Sequence, residues 1–144
     1  MNDLELYKHI YHDCEMSIFS LETLLNDLKD KDNKIKDVVE DIKIGYKRYF
    51  QEVENLLNTS NSIPKNAGIM AKMGASFGID KEVKTDNSDS NMADMLIKGI
   101  SMGILDMEKK INDYKQKADK EEIKYANKFL EFQKEIVEEL KKFL

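Results

Sequence analysis

One connection in this 144-residue chain is far longer than the others, and that asymmetry limits how its helices can be ordered. Four stretches repeat apolar residues at steps of three and four, near residues 3–29, 34–58, 91–118 and 120–143. That spacing places one apolar seam along each helix. The first and second stretches are separated by a few polar residues, as are the third and fourth, so each pair is expected to fold back antiparallel. Residues 59–90 separate the second from the third, and a segment that long can carry the chain from one end of the molecule to the other. The expectation is an all-α single domain spanning 1–144: a four-helix bundle of up-down-down-up order.

The seams define the candidate core. On the first helix they run through Leu4, Tyr7, Tyr11, Cys14, Ile18, Leu21, Leu25 and Leu28, with Asn2 or Asp3 as the cap. On the second they run through Ile35, Val39, Ile42, Tyr46, Tyr49, Val53 and Leu56. Gly45 lies inside that helix, where it costs about 1 kcal/mol relative to Ala, which predicts a close approach by a neighbouring helix. The fourth helix opens with the capping pair Asp119 and Glu122. The long connection starts with Thr-Ser-Asn-Ser and Pro64 and ends in a polar run. Its middle, Asn66 to Gly78, holds Ile69, Met70, Met73 and Phe77 among three glycines. One or two helical turns lying on the bundle are expected there, with a methionine-rich lid as the alternative.

Charge and cysteine content exclude several classes. The net charge is −5, and no basic stripe is present, so nucleic acid is not an expected partner. No uncharged apolar stretch could span a bilayer. The start Met1-Asn2-Asp3 is neither basic nor followed by an apolar run, so no secretory leader is expected. Cys14 is the single cysteine, which excludes an internal disulfide and suits a reducing, cytoplasmic setting. It has no basic neighbour on its seam and is expected to be a buried, inert thiol.

The remaining polar residues are the candidates for chemistry. Cys14, Glu15, Tyr46, Tyr49, Gly103, Asp106 and Gln133 fall near one level when counted inward along the helices. Gln133 sits on an otherwise apolar seam, so a buried network with Tyr46 and Tyr49 is expected to fix helix register. A remnant ligand or metal pocket there is the alternative. His9 and His12 lie three apart, with Asp13 four after His9, a spacing that can hold a divalent metal on a helix surface. Both histidines lie off the seam and read as surface residues.

Two further motifs bear on metal chemistry. The second helix offers Glu52-Val53-Glu54-Asn55 and the fourth Glu131-Phe132-Gln133-Lys134. Together with the long second-to-third connection, the four seamed helices resemble the ferritin-like superfamily, including small bacterial members. Metal-bearing members carry a Glu on each of two helices and Glu-x-x-His on each of the other two. Against that pattern Glu15 or Glu22 and Asp106 could stand for the single carboxylates. Asn55 and Lys134 occupy the positions of the two histidines. No metal centre and no cofactor are expected, and an enzyme is not. The resemblance then implies a structural or interaction module, as in coat and stress proteins. The alternative is a small-molecule or metal-binding protein using Glu15, Glu52, Asp106 and Gln133.

The third helix is apolar on nearly every side between Met92 and Met107. Phe19, Phe50 and Phe132 add apolar groups off the other seams. A helix apolar all round is buried all round. The expectation is a homodimer, with Ile97, Leu105 and the long connection near its interface.

Overall fold

The structure, a computed structural model, describes residues 3–144. Among these residues the chain forms five helices: α1 (Glu5–Asp27), α2 (Lys36–Thr59), α3 (Ile69–Thr85), α4 (Asp89–Tyr114) and α5 (Lys120–Lys141). The fold is all-α. Five helices replace the expected four, because the connection holds a 17-residue helix rather than one or two turns. No helix among the described residues is long and apolar enough to cross a membrane.

Helix ends follow local chemistry. α2 runs one residue past its expected end and closes on Asn61, whose φ of 52° is a left-handed conformation that Asn tolerates. The Asn61 and Ser62 amides then donate to the carbonyls of Asn58 and Leu57, the paired return bonds of a Schellman ending. α4 starts at Asp89, two residues early, because Ser88 accepts a hydrogen bond from the Asn91 amide at 3.2 Å. It stops at Tyr114, four residues short of the expected end.

α1 and α2 have no side-chain cap of their own. Asp3 does not cap α1, and Asn2 lies outside the described residues. Each helix is capped from a neighbour instead. The Leu6 and Tyr7 amides donate to Glu122 Oε2 at 3.0 and 3.3 Å. Glu122 sits in the first turn of α5, where its own amide donates to Asp119. At the opposite end, the Lys34 and Ile35 amides donate to the Asp89 carboxylate at 3.1 and 3.4 Å, and Asn33 Nδ2 donates to the same group at 2.8 Å. Asp89 is the first residue of α4. Each carboxylate therefore lies at two helix N-termini at once, where both helix dipoles favour negative charge.

These caps also fix direction. α1 and α5 begin side by side, and Asp13 meets Gln133 further along, so the two run the same way. α2 and α4 likewise begin side by side. α5 is antiparallel to α2: Tyr125 donates to Glu52 at 2.7 Å, and Tyr49 donates to the Lys128 carbonyl at 3.4 Å. α3 climbs along α1 from the level of Glu15 to that of Asp27. α1 packs against all four other helices.

Gly45 is where the expected close approach occurs. A Cβ built there would stand 2.5 Å from Phe132 Cε1. Phe132 is therefore partly buried against the core rather than standing free on an outer apolar surface. Phe50 is likewise occupied, its ring 4.8 Å from that of Tyr11.

Candidate functional site

At mid-height, α1, α2 and α5 bring a polar group into the core. Gln133 is fully buried and donates from Nε2 to Asp13 Oδ2 at 2.9 Å and to the Tyr46 hydroxyl at 3.3 Å. Ser17 donates to Asp13 Oδ1 at 2.9 Å, and Ser17 and Tyr46 are themselves hydrogen-bonded. The four side chains close a ring. Gly103 of α4 leaves the room for it: a Cβ there would stand 3.1 Å from Gln133 Nε2 and 3.2 Å from Asp13 Oδ2.

The electrostatics of this ring favour holding over reacting. Burial raises the Asp13 carboxyl, while the hydrogen bonds from Ser17 and Gln133 pull it back down. Burial, then the Asp13 charge, pushes the Tyr46 phenol up. Cys14, next along α1, is fully buried, and its thiol is held well above its ordinary value by burial. Neither the thiol nor the phenol is thereby poised to ionise near neutral pH. Among the described residues, Gln133 Oε1 is buried without a hydrogen-bond partner.

The composition of the ring differs in two respects from the sequence expectation. Tyr49 is not part of it, because its hydroxyl turns to the Lys128 carbonyl. Asp13 is part of it, although it lies off the α1 seam. His9 also departs from the surface reading: its Nε2 is buried with no partner among the described residues. Burial lowers its imidazole, Lys110 adds to that, and Asp13 and Asp106 oppose it. His12 is half exposed and points toward Glu15, at 4.0 Å. Both residues sit on α1, yet they serve different neighbours.

The four carboxylates of the ferritin-like comparison do not converge. Glu15 leaves the bundle level and accepts the Ala67 amide through both oxygens at 2.9 Å, with Lys72 Nζ at 3.4 Å. It anchors the start of α3. Glu52 accepts from Tyr125 on the surface. Asp106 is exposed, and Glu131 is exposed beside Lys134 at 3.8 Å. Among the described residues, no three His, Cys, Asp or Glu side chains gather as a metal-holding group.

A different surface carries the exposed apolar groups. α3 turns Val83 and Ile79 toward α1 and leaves Ile69, Met70, Met73 and Phe77 at 75%, 84%, 50% and 68% exposure. Gly74 and Gly78 are also exposed, and a Cβ on either would meet nothing within 4 Å. On α4, Ile97 is half-buried against the core, while Leu105 and Met102 are exposed. The densest exposed apolar group is thus on α3, not on α4 where the composition pointed. A helical stretch with residues at i, i+3, i+4 and i+7 signals a face, but not which way the face points.

α3 and α1 also frame an open cavity of about 680 Å³, lined by Asp27, Lys31, Asp80, Lys84 and Asp86 among others. Burial, then a hydrogen bond shared with Asp80, pushes the Asp27 carboxyl up to about 6. Both lysines and carboxylates line it, so it offers no single charge to a ligand. No protein-family model, curated protein or solved structure matches the chain.

Proposed function

We propose that this chain is a ferritin-like bundle of up-down-down-up order that has no metal centre and works as an interaction module, associating with a second copy of itself. The observation that supports this most is the α3 face, where four large apolar side chains meet solvent side by side. A contiguous apolar patch of this kind marks a binding surface more often than a bare exterior. The divergence of Glu15, engaged with the start of α3, from Glu52, Asp106 and Glu131 on the surface supports the metal-free part of the reading. So do Asn55 and Lys134 at the places where the superfamily carries histidine. The shared starts of α1 with α5 and of α2 with α4 support the helix order.

Sedimentation of the purified full chain tests this. A dimer mass is expected at tens of micromolar. A monomer throughout the micromolar range contradicts the reading, and stoichiometric iron, manganese or zinc in the purified protein would favour a metal-binding role instead.

A further inference from the structure

We infer that Asp27 and Asp80 form a proton-operated latch: a proton shared between the two carboxyls holds the far half of α3 against α1, and its loss as pH rises loosens that half and opens the cavity between them. The latch lies on the inner side of α3 and does not depend on what meets its outer face.

The two carboxyls meet across an element boundary. Asp27 is the last residue of α1, and Asp80 lies in the second half of α3. Asp80 shares a face with Ile79 and Val83, the two apolar residues that α3 turns toward α1. Asp27 Oδ2 is closed off from solvent, and no amide, amine or hydroxyl among the described residues donates to it. What meets the Asp27 carboxyl is the Asp80 carboxyl. Two ionised carboxylates can only accept, so this contact is a hydrogen bond only when one of them carries a proton. Without the proton, two like charges face each other at a boundary that water only partly reaches.

The charges around the pair leave room for that proton. Three carboxylates (Asp27, Asp80 and Asp86) and two lysines (Lys31 and Lys84) line the cavity, so one proton brings the set to neutrality. Asp86, just past α3, accepts from the Ser88 amide, which holds its carboxyl below the ordinary value and keeps it ionised. Lys84 of α3 favours ionised Asp27, but it is exposed, and so is Lys31 in the turn after α1. Water screens both. Burial and Asp80 outweigh Lys84, and the Asp27 carboxyl is pushed up to about 6.

Elsewhere α3 is held near its ends. Glu15 takes the Ala67 amide at 2.9 Å and Lys72 at 3.4 Å, and Asn91 donates to Glu82 at 3.1 Å. Gly74 and Gly78 weaken the helix between these anchors. Docking of residues 79–83 is therefore the part of α3 that one proton can decide. An undocked Asp27 titrates near its ordinary value of 3.8 and a docked one near 6, so between these values the docked state holds more protons. Docking is thus at full strength below about pH 4, weakens as pH rises to about 6, and is flat above that.

Amide hydrogen exchange of the full chain, converted to opening equilibria at each pH so that the intrinsic rate cancels, tests this across residues 79–85. The full shift corresponds to about tenfold more opening at pH 7 than at pH 5. Solvent at the cavity mouth screens part of it, so about threefold or more is expected. Asp27→Asn and Asp80→Asn each set an amide donor against the remaining carboxylate and need no proton, so both should remove the dependence. Asp86→Asn and His12→Asn should keep it, although His12 stands 4.0 Å from Glu15 near the other end of α3. Opening that is flat, or that falls as pH rises, overturns the inference. So does a dependence that survives in both Asp27→Asn and Asp80→Asn, or one that vanishes in His12→Asn. A carboxyl-carbon titration of wild-type Asp27 gives a second readout that needs no variant: a midpoint near 6 is expected, and one near the ordinary 3.8 overturns the latch.

Discussion

Glu122→Ala should destabilise the fold by about 3 kcal/mol, near the top of the range for a single polar side chain. Glu122 is fully buried, and its Oε2 alone accepts both the Leu6 and Tyr7 amides. Hydrogen bonds to a charged group are worth about 1.5–3 kcal/mol, and truncation leaves two amides buried without their acceptor. It also opens a small cavity where α1 and α5 begin. For a domain of this size the melting temperature should fall by about 10 °C. Glu122→Gln keeps an oxygen for the two amides and should lose only about 1 kcal/mol. Glu121→Ala, one residue earlier and exposed, should stay within about 0.5 kcal/mol of wild type. Equal losses for Ala and Gln in urea melts would mean that the acceptor oxygen is not what Glu122 contributes.

Gly45 brings helix propensity and packing into direct conflict, and packing should win. Alanine at a helix interior is favoured over glycine by about 1 kcal/mol. The new Cβ, however, would stand 2.5 and 2.7 Å from two atoms of the Phe132 ring. That ring cannot easily swing aside, since Tyr46 and Tyr49 hold it at centroid distances of 5.1 and 4.8 Å. Gly45→Ala should therefore cost about 2 kcal/mol net, and Gly45→Leu about 4 kcal/mol. Phe132→Leu should recover more than 1 kcal/mol in the Gly45→Ala background, as coupled neighbours do. Gly99→Ala is the contrast: nothing lies within 4 Å of its Cβ position, so propensity alone should stabilise α4 by a few tenths to about 1 kcal/mol. Chemical denaturation of the four variants checks the set. A stabilised Gly45→Ala would show that α2 and α5 are not in close contact there.

Much of the helical framework was legible in the apolar spacing. Tyr7, Tyr11, Cys14 and Leu21 on α1, and Val39, Ile42, Tyr46 and Val53 on α2, are buried as their seams require. Gly45 announced its neighbour through its own cost. What the spacing concealed has two physical causes. A single seam assumes one buried stripe per helix, but α1 touches four helices, so residues off its seam face inward as well. Asp13 and His9 were misread for that reason. The second cause is that a carboxylate in a first turn looks like a local cap whichever helix it serves. Glu122 and Asp89 reach across to the starts of α1 and α2, and only three-dimensional neighbours reveal this. α3 was shortened by its glycines, each unfavourable in a helix, yet Glu15 and Lys72 pin its start to α1 and Val83 buries its far end. The polar ring around Gln133 was anticipated through Tyr46, but its acidic member was not.

If the connection helix is the surface through which this molecule associates, amide hydrogen exchange at two protein concentrations will register it. α3 buries little of its own surface in the single chain, so its amides should open at low free energy. Association covers the outer face and should slow exchange across residues 69–79 as concentration rises, while α2 and α5 stay unchanged. Exchange in α3 that is independent of concentration, or protection that grows around residues 97–105 of α4 instead, would show that α3 is not the associating surface.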